Sequence, residues 1–345
     1  MRKLFVFLGV VLATIGSAVS AQEVDSMAPL QKSSWGDAKN SEVIDYLPDI
    51  SLDMRGGFGQ DFANRTGHFY GDGLYLDING YISPHFSYSL NQRLASTYYE
   101  NNSGFNGTNW LTLTYEIGDF AFTAGKDALL VGSFEYDAYD LDSYYEMNST
   151  FYNYLDCWQW GVSATWYPAE IHSITIQAAN SPFWSDDDLF SYALGWRCEG
   201  GVYESYWTAN LWEYEKGRFM NAINLGNRLH FGGFSCDLEY MRRATGDSSE
   251  YTLLFAPSYE IGDWCRAFGK IGYEKMAENA FEYDYVGENI FYGLGVEFFP
   301  LKEDKDIRIH AAWSASDYIG NYLNLGLTWK MDLTRAAKYL FHNSN

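Results

Sequence analysis

The sequence predicts an all-β protein, a transmembrane antiparallel β-barrel of about sixteen strands. Three observations carry that expectation. Apolar residues recur at every second position from about residue 51 to residue 331, the period of a strand with one apolar and one polar face. Tight turns alternate with longer polar connections along the chain, the two-sided layout of outer-membrane barrels. The chain also starts with the pattern of a secretory signal.

Residues 1–21 are read as that signal peptide. Arg2 and Lys3 form its basic start, residues 4–15 its apolar core, and Val19-Ser20-Ala21 its cleavage site. The apolar run is too short for a membrane helix, and no lipobox cysteine follows. Residues 22–49 are polar, lack alternation and end at Pro48; they are expected to form a periplasmic N-terminal extension. The barrel is expected over residues 50–331, and residues 332–345 as a periplasmic tail in which Lys338-Tyr339-Leu340-Phe341 could pack on the rim.

Alternation and turn residues place strands near 51–62, 70–82, 85–95, 108–117, 120–128, 158–168, 171–180 and 188–198. The second half continues with 201–213, 219–231, 234–244, 250–261, 264–274, 287–298, 305–315 and 321–331. The strands near 70, 120 and 219 are weakly patterned. Short connections fall at Ser83-Pro84, Gly118-Asp119, Ala169-Glu170, Glu199-Gly200, Gly232-Gly233 and Gly262-Asp263. An even strand count returns both ends to the same side.

The lipid-facing row reads Leu323, Leu325, Leu327 and Trp329 on the last strand and Ile307, Ile309, Ala311 and Trp313 on the one before. Trp and Tyr gather at strand ends, Leu, Ile and Ala in the middle, as in an interfacial girdle. The opposite row carries Asn324, Thr328 and Lys330, with Arg308, His310 and Ser314 beside it. A soluble sandwich would have to bury one of these rows against its nature. Glycines 161, 195, 226 and 293 recur on the polar face, leaving room for water or an inserted loop.

The formal charge is −22, with 45 acidic against 23 basic residues. Loss of Arg2 and Lys3 with the signal takes it to −24. Such a balance excludes nucleic acid as a partner. Aromatics reach 19%, which suits membrane girdles but also a secreted sugar-binding protein. Cys157, Cys198, Cys236 and Cys265 show no metal-type spacing and are read as small apolar residues rather than disulfides.

The longest connection, residues 129–157, starts on the outer side as the third external loop. It contains Glu135, Asp137, Asp140, Asp142 and Glu146 with no Lys or Arg, interleaved with Tyr136, Tyr139, Tyr144, Tyr145, Phe151, Tyr152 and Tyr154. Folded inward, it would face a basic wall of Arg55, Arg228, Arg266, Lys270, Arg308 and Lys330, with His230 and His310 alongside. Acid opposite base implies a transverse field across a constriction, or ordinary ion pairs with inward acids such as Asp53, Glu260, Glu274 and Glu297. Catalysis finds no support: the six histidines are isolated and no Gly-x-Ser-x-Gly is present. No cofactor is implied. Gly71-Asp72-Gly73 and residues 185–188 are read as polar turns that could in principle hold Ca²⁺.

Phe122-Thr123-Ala124-Gly125-Lys126, Gly132-Ser133-Phe134-Glu135-Tyr136 and Trp158-Gln159-Trp160-Gly161-Val162-Ser163 together resemble the phosphate-selective porin O and P family, in its Bacteroidetes form. The resemblance implies a sixteen-stranded homotrimeric porin with an inward third loop, set among outer-membrane lipids and lipopolysaccharide. It also implies anion preference carried by basic residues at the constriction, of which Lys126 is the candidate carried over. The acidic third loop departs from that pattern. The expectation is therefore a passive channel for small hydrophilic solutes with weak cation preference or none. The alternatives are a non-conducting barrel that binds partner proteins and a soluble carbohydrate-binding protein.

Overall fold

Sixteen antiparallel strands close into one barrel, each paired with its neighbours in sequence and the first paired with the last. The computed structural model describes residues 47–94, 107–183, 188–246, 248–278, 281, 283, 285–302, 305–318 and 320–336, without the side chains of Asp72 and Asp140. The strands are β1 Asp49–Asp61, β2 Thr66–Ser83, β3 Phe86–Arg93, β4 Thr108–Ile117, β5 Phe120–Ala128, β6 Trp158–Ala169, β7 His172–Asn180 and β8 Phe190–Glu199. They continue as β9 Tyr203–Glu215, β10 Arg218–Phe231, β11 Phe234–Ala244, β12 Ser249–Ile261, β13 Cys265–Met276, β14 Gly287–Phe298, β15 Ile307–Ser316 and β16 Gly320–Asp332. The seam between β1 and β16 runs from Ser51 opposite Asp332 to Asp61 opposite Tyr322.

The short turns lie where the sequence places them. Gly118, Gly232 and Gly262 hold φ of 57°, 60° and 58°, a left-handed conformation that glycine adopts without steric cost. The other end carries the long connections at 94–107 and 129–157, although β9 and β10 meet there through Lys216-Gly217 alone.

Most strands lie within two residues of the expected bounds, and the largest departure is at the start of β2. β2 begins at Thr66, ahead of the expected residue 70, and Gly71-Asp72-Gly73 lies inside it rather than in a turn. Phe69 pairs with Phe58 and His68 with Gly59, and a register shift at Arg55/Gly56 absorbs the mismatch. Ladder pairing overrides the turn propensity of the two glycines. No cluster of metal-ligand side chains occurs among the described residues, and residues 185–187 of the second Asp-rich run lie outside them.

The two faces separate cleanly. Leu294 is 65% exposed, Ile176 59% and Ile309 52%, and the apolar band continues through Leu325, Leu327 and Trp329 on β16. A continuous exposed apolar surface of this kind is far beyond the patches soluble proteins tolerate and matches the lipid-facing band of a membrane barrel. On the inner face Asn324, Thr328, Arg308, His310, Glu297 and Glu274 are all buried. No described helix is long and apolar enough to cross a membrane; the strands do that work.

Cys198, Cys236 and Cys265 are buried and Cys157 partly so, all as free thiols. At the seam, Ile50 N–H donates to Thr334 Oγ1 at 2.9 Å and the Thr334 hydroxyl donates to Pro48 O at 2.9 Å. The end of β16 is thereby fastened to the start of β1. Residues 338–341 of the tail lie outside the described residues.

Candidate functional site

The segment 129–157 is built from short pieces: helical turns at Phe134–Asp137 and Thr150–Tyr154, and tighter turns at Asp140–Asp142 and Tyr145–Met147. Serines start both helical turns. Ser133 Oγ accepts from Glu135 N–H and Ser149 Oγ from Tyr152 N–H, each at 3.1 Å, which satisfies donors that a helix start leaves open.

Its first residues lie against the wall of β7, β9 and β10. Leu130 N–H donates to Gln177 Oε1 at 2.9 Å, Asn210 Nδ2 to Leu130 O at 2.6 Å and Gly132 N–H to Thr208 Oγ1 at 2.9 Å. A Cβ on Gly132 would stand 2.6 Å from Thr208 N and 2.8 Å from Asn224 O, so only glycine fits. Two of the inward glycines receive the segment directly. A Cβ on Gly226 would meet Gly132 O at 3.0 Å, and one on Gly293 would meet the Met147 side chain at 2.7 Å.

Two apolar clusters fasten the segment. Leu129, Val131, Phe151 and Leu155 pack with Trp212, Met220 and Met241 of the wall. Tyr144 and Met147 pack with Ala312, and Tyr144 stacks on Phe268 at 5.3 Å. Each fully covered large side chain contributes about 1.5–3 kcal/mol, which favours a fixed segment over a mobile one. Phe151 is completely buried, with the Arg243 guanidinium 3.9 Å from its ring centre.

The acids singled out in the sequence sit in contacts rather than across a gap. Glu135 is 5% exposed. Its carboxylate accepts from Lys270 Nζ at 3.0 Å and from Ser149 N–H and Oγ at 3.0 and 2.5 Å. It therefore ties the two ends of the segment together and both to β13. Asp142 pairs with Arg308 and, at 3.2 Å, with Lys330. Burial alone would push the Asp142 carboxyl up, but these two cations outweigh it and hold it below the usual carboxylate range. Asp137 pairs with Arg197 at 2.6 Å. Asp140 lies in the turn Asp140–Asp142, and its side chain is outside those described. Glu146 is half-buried in the turn Tyr145–Met147.

The basic wall is correspondingly occupied. Arg55 Nη1 donates to Leu141 O at 3.0 Å and Ser143 O at 2.5 Å. Arg228 pairs with Asp237 of the neighbouring strand at 2.6 Å and lies 4.2 Å from the Phe134 ring centre. Arg266 pairs with buried Glu297 at 2.7 Å, and His230 meets Glu204 at 2.9 Å. His310 bonds Asn324 Oδ1 at 2.9 Å beneath the Tyr144 ring. The transverse field expected between a separated acidic loop and basic wall is thus replaced by closed ion pairs. Buried carboxylates demand this, because an isolated buried charge is far costlier than a paired one.

Open space lies on the other side of the segment. A cavity of about 630 Å³ is bounded by residues from β1 to β6 and by the segment's second half. Of the described residues lining it, Arg55, Arg93 and Lys126 are cationic and Asp156 is acidic. Arg93 Nε donates to Asn109 Oδ1 at 2.9 Å, and its guanidinium lies 5.5 Å from the Tyr75 ring centre. Burial pushes the Asp156 carboxyl up, against the opposing pull of Lys126. Lys126 pairs in register with Leu111 and Trp160, both exposed on the outer face. Yet it lines the cavity, next to Gly125, whose φ of +138° interrupts the regular strand. Sequence reasoning missed Arg93, although it is in phase with inward Ser87, Ser89 and Asn91.

Solved structures share this barrel. A refined porin is 14% identical with a TM-score of 0.56, covering 83% of this chain and all of its own. OmpT, an outer-membrane protein of Vibrio cholerae, is 12% identical with a TM-score of 0.58, covering 82% and 97%. A substituted porin of Rh. blastica is 10% identical with a TM-score of 0.54, covering 83% and 100%. At such identities the likeness is one of fold. No curated protein sequence matches the chain. The sequence profile described as phosphate-selective porin O and P matches residues 50–249, more than half of the chain. The chain belongs to the phosphate-selective porin O and P family.

Proposed function

We propose that this protein is a passive outer-membrane porin whose segment 129–157 lies across the lumen as its constriction. The solutes are small and hydrophilic, and anions are favoured over cations. The segment has partners on β7 to β11, β13 to β16, β1 and β2, so it bridges most of the ring from within. Water and solute then pass along the wall of β2 to β6. No cofactor or energy source is needed, since radius and field set the selectivity.

The observation that carries the charge preference is the lining of the cavity. Glu135, Asp137 and Asp142 sit in contact pairs, and the described residues lining the cavity include three cationic ones, Arg55, Arg93 and Lys126, against one acid, Asp156. The acidic composition of the chain therefore does not set the sign of the passage. A reversal potential measured across a planar bilayer in a KCl gradient tests this. Anion preference is the expected result; clear cation preference would overturn it. Whether inorganic phosphate is favoured over chloride is a separate measurement in the same cell, with a moderate phosphate preference expected from the two arginines.

The alternative, a non-conducting barrel that binds partners, draws on the segment's aromatic filling of the β9 to β14 side, where Phe151 stacks on Trp212. Single-channel conductance separates the two. Folded protein that never conducts would sink the porin reading. The signal peptide at residues 1–21, the periplasmic extension at 22–49 and a homotrimer set in lipid and lipopolysaccharide complete the proposal.

A further inference from the structure

We propose that Asp77, Asn91 and Asn109 form a hydrogen-bonded relay that positions the Arg93 guanidinium on the lining of the passage and ties it to the segment 129–157. The inference rests on the porin reading, in which Arg93 contributes to the sign of the passage.

The relay begins at a carboxylate. Asp77 of β2 stands opposite Asn91 of β3 in the ladder, and both are buried. Asn91 Nδ2 donates to Asp77 Oδ1 at 2.7 Å, Asn109 Nδ2 to Asn91 Oδ1 at 2.7 Å, and Arg93 Nε to Asn109 Oδ1 at 2.9 Å. A carboxylate only accepts, whereas an amide has one accepting end and one donating end. Asp77 therefore draws the donating end of Asn91 to itself and leaves the Asn91 oxygen to face Asn109. The same rule turns Asn109, so that its oxygen meets the guanidinium. One carboxylate thus sets the orientation of both amides and delivers an acceptor to Arg93. Reversal of either amide would set donor against donor in a buried place, where an unmade hydrogen bond is costly.

An irregularity in the sheet completes the relay. Between β3 and β4 the register shifts at Asn91/Gln92: Asn91 pairs with Trp110 and Gln92 with Thr108. Asn109 is the extra residue between these pairs, a β-bulge, which re-aims a side chain. Strict alternation would send Asn109 to the lipid face, opposite to Thr108 and Trp110. It is instead 3% exposed and bonded to inward Asn91.

The same carboxylate holds the segment. The Tyr139 hydroxyl donates to Asp77 Oδ2 at 3.0 Å, and the Tyr139 ring lies 5.7 Å from that of Tyr75. Tyr75 pairs with Arg93 in the ladder, and the guanidinium stands 5.5 Å from the Tyr75 ring centre. Arg93 is thus supported by an amide and by a ring, and both supports lead back to Tyr139. Once released, the guanidinium would be drawn toward Asp156, the acid on the same lining, and the two charges would offset each other.

The test uses the full folded protein with Asn91→Leu, which keeps the size and charge of the side chain and removes both ends of the amide. In a planar bilayer under a KCl gradient, its reversal potential should shift toward zero although no charge has been removed. In the Arg93→Gln background the same substitution should add nothing. An unchanged reversal potential, or an equal shift in both backgrounds, would overturn the relay. Asn109→Leu carries the same two expectations should Asn91→Leu fail to fold. A spectroscopic measurement keeps the porin reading apart. In detergent-folded protein with isotope-labelled arginine, the Arg93 Nε–H resonance, assigned by its loss in Arg93→Gln, should move in Asn91→Leu. A resonance that stays in place overturns the relay whether or not the barrel conducts. One that moves in a barrel without current removes the porin reading and leaves the relay.

Discussion

The inner wall divides into two arcs with opposite tasks. From β7 round to β16 the wall holds the segment 129–157 through buried pairs, stacked rings and glycine seats. From β2 to β6 the wall faces open space with arginine, lysine, amides and aromatic faces. Both arcs carry cations, and in the first Lys270 touches Glu135 at 3.0 Å. In the second Arg93 bonds a neutral amide and stacks on Tyr75. The lesson concerns charge in a pore: total charge describes the protein, whereas the passage responds to the charges that line it.

The comparison can be broken most severely at Gly132. Gly132→Val would drive a side chain into the backbone of β9 and β10, unseating the segment; single-channel conductance should rise well above the parent's. Next comes the buried pair. Lys270→Ala leaves the Glu135 carboxylate without its cation, at a cost of roughly 3–5 kcal/mol. Limited proteolysis of the segment should accelerate while the barrel stays folded on gels.

The open arc is probed by Arg93→Gln. One of three lining cations disappears, so the reversal potential in a KCl gradient should move toward zero, with conductance changed less than by Gly132→Val.

A pH effect follows on the first arc. The folded Asp142 carboxyl titrates below its unfolded value of about 3.9, because Arg308 and Lys330 outweigh its burial. Its stabilisation is complete above that unfolded value and is lost as pH falls through the lower folded one. Current noise from a loosened segment should rise only in that acid range, and Asp142→Asn should show the noise at neutral pH as well. The smallest effect belongs to Asp137→Asn. Its pair with Arg197 is about a third exposed, and such pairs contribute about 0–1 kcal/mol; conductance and stability should match the parent's.

The barrel was written plainly in the sequence. Leu325, Leu327 and Trp329 against Asn324, Thr328 and Lys330 told which face met lipid, because a period of two leaves no other arrangement. The residues of the site were legible by face but not by contact. Phase shows that Lys270 and Arg308 point inward; it says nothing about whether an acid stands 3 Å away or across a channel. That depends on where Glu135 and Asp142 come to rest, set by Gly132 and by apolar packing of Phe151. Arg93 was in phase and readable. Lys126 was not, since its register places it outside and only the backbone at Gly125 allows the turn inward. The start of β2 was obscured by glycines that a ladder can absorb.

The Thr334 fastening has a consequence for biogenesis. Its two hydrogen bonds join residues 284 and 286 positions apart, next to a seam made by the first and last strands. A chain cut short before β16 cannot form them and keeps β1 as an unpaired edge, a template for aggregation. Closure of the ring thus waits on the synthesis of β16 and Thr334, and until then the edge of β1 has no strand to cover it.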